Sequence, residues 1–140
     1  MTKVNVSKTI NVSAKLAWKE LAAFGGIENF SPIERSETKG IGVGMKRTCY
    51  MPDTPAINEE LTILDEDGMH LEYVIHSGPF PVTDYTGIIK VKSTGDNSCE
   101  VSWGAHYKVD TTNEEKMKSM LEGFYNVSIE GLASYIRGRN

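Results

Sequence analysis

The sequence predicts an α+β fold in which an antiparallel sheet of about seven strands packs against one long C-terminal helix. Two observations lead to this prediction. Between residues 33 and 109, segments with alternating apolar and polar residues follow one another, with only turn-forming residues between them. Consecutive strands joined by short turns are typical of an antiparallel meander. After residue 112 the apolar residues change to helical spacing and keep it through residue 136.

The first strand is predicted at residues 3–10, where apolar and polar side chains alternate. Ser13 has the residue type of an N-cap, and a short amphipathic helix is predicted after it at residues 14–24. A second short helical turn is predicted at residues 27–30. Six further strands are predicted at residues 33–39, 45–52, 56–65, 69–77, 82–93 and 98–109.

The strands at residues 69–77 and 82–93 show the alternation most clearly. Leu71, Tyr73 and Ile75 fall on one face, and Tyr85 begins the same pattern on the next strand. The two prolines between the strands cannot donate to a ladder, so the chain must turn there. Because a buried phenol needs a polar partner, two inward tyrosines near one turn predict a cavity with apolar walls and a few polar atoms.

The last helix is predicted at residues 113–137. Thr112 and Glu115 have the spacing of a capping box at its start. At ~1.5 Å per residue this helix would extend about 37 Å, which is enough to cross the whole sheet. Its apolar stripe is predicted to contain Met117, Met120, Leu121, Phe124, Val127, Ser128, Gly131, Leu132, Tyr135 and Ile136.

Length and composition indicate one domain, residues 1–140, with an ordinary hydrophobic core. The net charge of −4 excludes the basic footprint of a nucleic-acid-binding protein. The sequence has no run of 18 apolar residues, so no membrane span is expected. The N-terminal residues do not resemble a signal peptide, and we therefore expect a cytoplasmic protein in which Cys49 and Cys99 are reduced thiols.

Arg47 and Glu59 are two charged residues on apolar faces of neighbouring strands. By alternation, Arg47 shares its face with Cys49, and Glu59 shares its face with Leu61. A buried charge is costly unless it is paired, so the two are expected to bond to each other. Arg47 could then hold a carboxylate, phenolate or enolate of a ligand, with Glu59 orienting it or acting as a base. Alternatively, the pair could simply tie two strands together.

Four aromatic residues fall on the predicted inner face of the sheet. They are Tyr73, Tyr85, Trp103 and Tyr107. They could line a pocket for a flat, ring-bearing ligand, or they could be ordinary aromatic core. Met117 and Met120 on the facing helix are flexible enough to repack around different guests.

The remaining chemical groups do not predict a reaction. His70, His76 and His106 fall on the outer face by alternation. No cluster of His, Cys and carboxylate residues has metal-ligand spacing, so neither a metal nor a cofactor is predicted. The glycine-rich residues 40–44 lack the spacing of a phosphate-binding loop and are expected to form a turn. This turn could border the cavity mouth together with Phe30, Pro32 and the prolines of the later turn.

Several short segments occur together in a characteristic order. They are residues 24–27 (Phe-Gly-Gly-Ile), 30–32 (Phe-Ser-Pro), 44–47 (Gly-Met-Lys-Arg), 57–61 (Ile-Asn-Glu-Glu-Leu) followed by Asp65, 73–85 from Tyr73 through Gly-Pro-Phe-Pro to Tyr85, and 101–103 (Val-Ser-Trp). In this order they resemble the START-related superfamily, also called SRPBCC. It includes birch-pollen-allergen-like proteins, lipid-transfer domains and polyketide cyclase/dehydrase-like proteins. The resemblance covers nearly the whole chain, although Phe30 stands where the family usually has tryptophan.

The resemblance implies a helix-grip fold, in which a curved sheet wraps the long helix and a ligand cavity lies between them. It also implies that Arg47 and Glu59 face this cavity. The expected ligand-contacting residues are Phe30, Tyr73, Phe80, Tyr85, Trp103, Tyr107, Met117, Met120, Leu121 and Phe124.

Three functions are compatible with the sequence. The first is binding of a small hydrophobic ligand of aromatic, polyketide-like, lipid-like or isoprenoid-like character. The second is a polyketide cyclase/dehydratase-type enzyme that uses Arg47 and Glu59 as its catalytic residues. The third is a protein-interaction module, with Val74 and Ile88 on the outer face as a possible homodimer contact.

Overall fold

The computed structural model describes residues 1–138. The elements, in chain order, are β1 (Thr2–Ile10), α1 (Ala14–Ala22), a 3₁₀ turn (Ile27–Asn29), β2 (Arg35–Lys39), β3 (Lys46–Tyr50), β4 (Ile57–Asp65), β5 (His70–Ser77), β6 (Val82–Gly95), β7 (Ser98–Val109), a second 3₁₀ turn (Thr111–Asn113) and α2 (Glu114–Gly138). The predicted α+β class is confirmed. Seven antiparallel strands form one curved sheet around the long C-terminal helix, which is the helix-grip arrangement.

Strands β2 to β7 form a meander, and β1 pairs with β7 as the edge strand at one side of the sheet. Its strand order is β1-β7-β6-β5-β4-β3-β2, so strands two to seven are each paired with their neighbours in sequence. The ladder between β4 and β5 shifts register twice, between Asn58 and Glu59 and again between Leu61 and Ile63. Because such irregularities bend a strand and increase its twist, they help the sheet to curve around α2.

Helix α1 begins where the sequence predicts. The side chain of Ser13 accepts a hydrogen bond from the backbone N–H of Leu16 at 3.2 Å, which satisfies one of the free donors at the helix start. Its buried face includes Ala17, Trp18 and Leu21. The indole of Trp18 also donates to Glu66, in the turn between β4 and β5, at 3.0 Å. This bond fixes α1 against one end of the sheet.

Helix α2 buries a stripe that overlaps the predicted one but is rotated from it. Met120 and Val127 are 42% and 52% exposed, whereas Tyr125 and Ile129, which the prediction omits, are almost fully buried. The buried residues are Met117, Leu121, Tyr125, Ser128, Ile129, Leu132, Ala133 and Ile136. The buried face follows residues at intervals of four, from Met117 through Leu121 and Tyr125 to Ile129 and Ala133. Residues spaced in this way lie on one side of a helix, and this side faces the concave sheet.

The predicted capping box is also displaced. Thr112 lies inside the second 3₁₀ turn, and α2 itself begins at Glu114. Two acidic residues, Glu114 and Glu115, stand in the first turn of α2. They are favourably placed there because the N-terminus of a helix carries partial positive charge.

Gly131 is the position where α2 approaches the chain after α1 most closely. A Cβ atom added there would overlap the backbone carbonyl oxygen of Phe30, which is backbone and cannot rotate away. The ring of Phe30 packs beside Tyr135 on the same part of α2, with 6.4 Å between ring centroids. A glycine in the middle of this helix therefore permits a tight contact that a side chain would prevent.

We expect Gly131→Ala to destabilise the protein by roughly 1–3 kcal/mol, because overpacking must move backbone atoms. The matched control is Gly123→Ala in the same helix, where an added Cβ meets no atom within 4 Å. There the better helix propensity of alanine should stabilise by up to about 1 kcal/mol. Urea unfolding midpoints measure both changes. Equal effects of the two substitutions would contradict the proposed close contact.

Candidate functional site

A pocket lies between the concave face of the sheet and the first half of α2. Its volume is about 100 Å³. The lining residues are Ile27, Ile33, Arg47, Cys49, Met51, Ile57, Glu59, Tyr73, Ile75, Phe80, Tyr85, Met120, Leu121, Phe124 and Tyr125. Most of them are apolar, and the polar atoms come from one ion pair, one thiol and three phenols.

Arg47 is held on several sides. It is directly opposite Glu59 in the ladder between β3 and β4, and its Nε donates to Glu59 Oε1 at 2.7 Å. Its Nη1 donates to the backbone carbonyl of Phe24 at 2.9 Å. The guanidinium also lies over the Phe24 ring, 3.9 Å from the centroid, and 5.3 Å from the centroid of Tyr73. These contacts keep a charge in place that is only 4% exposed.

Glu59 is the acceptor of the pair. Its Oε1 also accepts from the thiol of Cys49 at 3.3 Å. Within residues 1–138, both hydrogen bonds to this carboxylate fall on Oε1. A carboxylate can accept several hydrogen bonds, so Oε2 retains capacity for a bound molecule. The guanidinium likewise has five N–H donors, of which these two bonds use two.

Burial and charge determine the protonation of this cluster. Burial opposes the charge of Arg47, but the charge of Glu59 and its hydrogen bond offset this, and the pKa of the guanidinium rises above its ordinary value. Burial, and then the charge of Glu59, raise the pKa of the Cys49 thiol to about 12. At neutral pH the thiol is therefore protonated and acts as a hydrogen-bond donor rather than a nucleophile.

Four aromatic groups form a chain of hydrogen bonds beside the ion pair. The indole Nε1 of Trp103 donates to the hydroxyl of Tyr73 at 3.1 Å. The hydroxyls of Tyr73 and Tyr85 are 3.4 Å apart, and the hydroxyl of Tyr85 is bonded to that of Tyr125. The chain thus crosses from the sheet to α2.

All three phenols of this chain remain protonated at neutral pH. Burial, followed by the charge of Glu59, raises the pKa of Tyr73 to about 12. Burial also holds the pKa values of Tyr85 and Tyr125 well above their ordinary value. The phenols are therefore neutral hydroxyls that can donate and accept hydrogen bonds.

Most of the residues proposed from the sequence come together at this pocket, and four do not. The pocket is lined by Arg47, Glu59, Tyr73, Phe80, Tyr85, Met120, Leu121 and Phe124 from the predicted set. The four that do not line it are Phe30, Trp103, Tyr107 and Met117. The glycine-rich residues 40–44 and Pro32, expected at the cavity mouth, are also absent from the lining.

These four side chains are buried in the core instead. Phe30 packs against Tyr135, near the opposite end of α2. Trp103 lies behind the pocket wall, stacked on Tyr125 at 5.7 Å between centroids. Strand alternation finds the correct face of the sheet for an aromatic residue. It does not tell whether helix α2 covers that residue.

Tyr107 and Met117 are also outside the pocket lining. Tyr107 is stacked on Tyr85, and its hydroxyl is buried without a hydrogen-bond partner among residues 1–138. Met117 is 2% exposed and lies one helical turn before the pocket residue Leu121. Both fill space around the pocket without reaching it.

Tyr125 is the functional candidate that the sequence analysis missed. It lies four residues after Leu121, which itself lies four residues after Met117. This spacing places all three on one helix face and would have predicted Tyr125 beside Leu121. The other lining residues missed are Ile27, Ile33, Cys49, Met51, Ile57 and Ile75.

The outer face of the sheet carries the histidines, as alternation predicts. His70 bonds to Glu72 at 2.9 Å, and His76 bonds to Glu60 at 2.8 Å. Within residues 1–138, no three His, Cys, Asp or Glu side chains are arranged so that they could hold a metal ion. None of the helices in the same part of the chain combines the length and apolar character that a membrane crossing requires.

Comparisons with known proteins agree with this architecture. No curated protein matches the chain. Among solved structures, the protein XoxI of Bacillus cereus is 25% identical, with a TM-score of 0.87 over 97% of this chain and 96% of that one. An uncharacterised protein from Bacillus thuringiensis is also 25% identical, with a TM-score of 0.86 over 96% and 98% of the two chains.

A plant enzyme shares the fold at greater distance. Norcoclaurine synthase from Thalictrum flavum is 19% identical, with a TM-score of 0.79 over 99% of this chain and 95% of that one. At this identity the likeness shows the fold alone. Residues 1–137 match the model of the family described as polyketide cyclase/dehydrase and lipid transport. The chain therefore belongs to the polyketide cyclase/dehydrase and lipid transport family.

Proposed function

We propose that this protein binds a small hydrophobic ligand in the pocket between the sheet and α2. The observation that carries the proposal is the combination of an apolar pocket with a few buried polar groups fixed around it. Pockets of this kind, mostly apolar with a few convergent polar atoms, are typical of small-molecule sites. Family membership supports a ligand-binding scaffold.

The volume favours a ligand about the size of one aromatic ring. Drug-sized ligands occupy pockets of roughly 300–1,000 Å³, and benzene occupies an engineered apolar cavity of about 150 Å³. The volume here, about 100 Å³, belongs to the smaller class. A longer lipid-like or polyketide-like ligand would need side chains to move. Met51 and Met120 both line the pocket and have flexible, unbranched side chains, and Met120 is 42% exposed.

The small volume of the pocket also favours ligand binding over catalysis as the function. A cyclase or dehydratase acting through Arg47 and Glu59 would have to fold a poly-β-keto chain against this ion pair. A pocket of about 100 Å³ is too small for such a chain unless the lining side chains move. In addition, two of the five N–H donors of Arg47 are already engaged by Glu59 and by the carbonyl of Phe24.

Ligand binding can be tested with two substitutions on neighbouring residues of β5. Ile75 lines the pocket, whereas the side chain of Val74 faces the opposite side of the strand. We expect single-ring compounds to cause amide chemical-shift changes in NMR spectra at the pocket residues of the parent protein. Ile75→Trp should fill the pocket and weaken binding at least tenfold. Val74→Trp should leave the affinity unchanged.

If the parent protein shows no shifts at the pocket with any compound of a single-ring library, the proposed function is wrong. Equal loss of binding in both tryptophan variants would place the site elsewhere. Circular dichroism and urea unfolding confirm that each variant is folded before its affinity is compared.

The ion pair makes a separate prediction about stability. Arg47→Met leaves the buried carboxylate of Glu59 uncompensated and should cost about 3–5 kcal/mol. The adjacent pair Lys46–Glu60, at 2.7 Å, is the same cross-strand arrangement on the outer face, where Lys46 is 57% exposed. Lys46→Met should hardly change the urea midpoint, because solvent screens an exposed pair.

The double variant Arg47→Met, Glu59→Leu should recover much of the stability lost in Arg47→Met, since no charge then remains buried. Urea unfolding of the single and double variants gives the comparison. A double variant less stable than the single one would mean that the pair contributes through packing and not through charge compensation.

Alkaline pH should lower the free energy of unfolding, because it deprotonates the buried Cys49 thiol in the pocket. The pKa of the Cys49 thiol is raised from 9.0 to about 12 in the folded protein. A raised pKa means that the folded state holds its proton more tightly than the unfolded state above pH 9. The stabilisation is therefore complete below pH 9 and is lost as pH rises towards 12, by up to about 1.4 kcal/mol per pH unit from this thiol.

Urea unfolding at several pH values between 8 and 11 measures this loss. Cys49→Ala should reduce the steepness of this decline in stability. Some decline should remain in the variant, because Tyr73 makes a similar contribution in both proteins. An identical decline in Cys49→Ala would show that the thiol does not contribute.

A further inference from the structure

The chain formed by Trp103 and the three phenols contains one more donor hydrogen than it has hydrogen-bonded links. Trp103 contributes one N–H, and Tyr73, Tyr85 and Tyr125 contribute one O–H each, which makes four donor hydrogens. The chain has three links, between Trp103 and Tyr73, between Tyr73 and Tyr85, and between Tyr85 and Tyr125. Whichever way the hydroxyls rotate, one hydrogen lacks an acceptor within the chain. This count depends only on the groups present and not on hydrogen positions.

The surplus hydrogen belongs to a tyrosine that lines the pocket. The indole is a donor only, so its hydrogen is used on Tyr73. The three tyrosines all line the pocket, and they are between 1% and 4% exposed. Leaving a buried O–H unsatisfied is unfavourable. Within residues 1–138 these hydroxyls are bonded only to one another and to Trp103, so the further acceptor is expected from a molecule bound in the pocket.

The end of the chain is the favoured place for the free hydrogen. If each hydroxyl donates to the next one, the bonds polarise one another in the same direction, which strengthens them. Tyr73 then donates to Tyr85, and Tyr85 donates to Tyr125. In this arrangement the O–H of Tyr125 has no acceptor within the chain. Tyr125 is on α2 and lines the pocket.

The charge of the ligand follows from the ion pair. Arg47 Nε and Glu59 Oε1 are 2.7 Å apart, and the two side chains together form an ion pair without net charge. A carboxylate ligand beside them would place a second negative charge near Glu59, away from water, and would be repelled. A neutral ligand avoids this penalty.

We propose that the ligand is an uncharged single-ring compound with an acceptor oxygen, such as an aryl ketone, and that the hydroxyl of Tyr125 donates to this oxygen. The proposal rests on the ligand-binding function proposed above and narrows its ligand class. Tyr73, Tyr85 and Trp103 act as positioning residues, because they align and polarise the hydroxyl of Tyr125 without having to touch the ligand.

Three probes of similar size test the proposal. Acetophenone has a carbonyl oxygen, α-methylstyrene has a CH₂ group in its place, and benzoate is an anion. Dissociation constants are measured by NMR titration for the parent protein, for Tyr125→Phe and for Tyr50→Phe. Tyr50 is the matched control, since its hydroxyl is bonded to the exposed Glu37 and lies outside the pocket lining.

We expect Tyr125→Phe to weaken acetophenone binding by about three- to tenfold, which corresponds to one net hydrogen bond, and to leave α-methylstyrene unchanged. Tyr50→Phe should change neither. Benzoate should bind at least tenfold more weakly than acetophenone to the parent protein. If Tyr125→Phe weakens the binding of acetophenone and α-methylstyrene to the same degree, or weakens the binding of neither, the assignment of Tyr125 as donor is wrong.

Benzoate binding as tight as that of acetophenone would overturn the uncharged ligand class. In either case the proposed binding function survives if the neutral probes still shift the pocket residues. If none of the three probes binds there, the ligand class proposed here is wrong, and the single-ring library then decides whether the binding function is wrong as well. Should Tyr125→Phe not fold, the infrared carbonyl stretch of bound acetophenone in the parent protein decides. A value as high as in an aprotic solvent excludes a hydrogen-bond donor.

Discussion

The buried ion pair of Arg47 and Glu59 is the interaction on which the pocket depends. The two residues face each other on β3 and β4, and the guanidinium also binds the carbonyl of Phe24, just after α1. One side chain therefore joins two strands and the end of a helix. Because both charges are out of water, neither can be removed alone without leaving an uncompensated charge. The charged groups that line the pocket are thus held in place by each other and by the backbone.

The same two strands show how location changes the meaning of an ion pair. Lys46 and Glu60 are neighbours of Arg47 and Glu59 in sequence, and they form the same kind of cross-strand pair on the outer face. Solvent screens the outer pair, so it contributes little. The inner pair is only 5% and 8% exposed at its side chains, and its position requires accurate hydrogen bonding. A single-residue change of register would place Arg47 opposite Glu60, or Lys46 opposite Glu59, and would turn the side chains of one strand to the other face. The two pairs therefore help to determine the alignment of these strands.

The phenols extend this polar cluster across the pocket to α2. Their raised pKa values keep them neutral, and hydrogen bonds connect them in sequence from Trp103 to Tyr125. The ion pair and the phenol chain together make the pocket polar at defined points and neutral as a whole. Under the proposed function, such a site would discriminate among ligands by the position of an oxygen rather than by charge, since a misplaced or missing acceptor would leave a buried donor unsatisfied.

The sequence by itself determined the fold class, the order of the elements and the inner face of each strand, because periodicity two and the turn residues are local properties. It also placed Arg47 opposite Glu59 in outline, since both fall on apolar faces of consecutive strands. Only the tertiary structure decided which part of the inner face remains open. The curved sheet turns α2 so that Tyr125 reaches the pocket, while Trp103, Tyr107 and Phe30 are covered. Periodicity cannot supply this, because the rotation of a helix depends on side chains that are distant in sequence and meet only when the chain is folded.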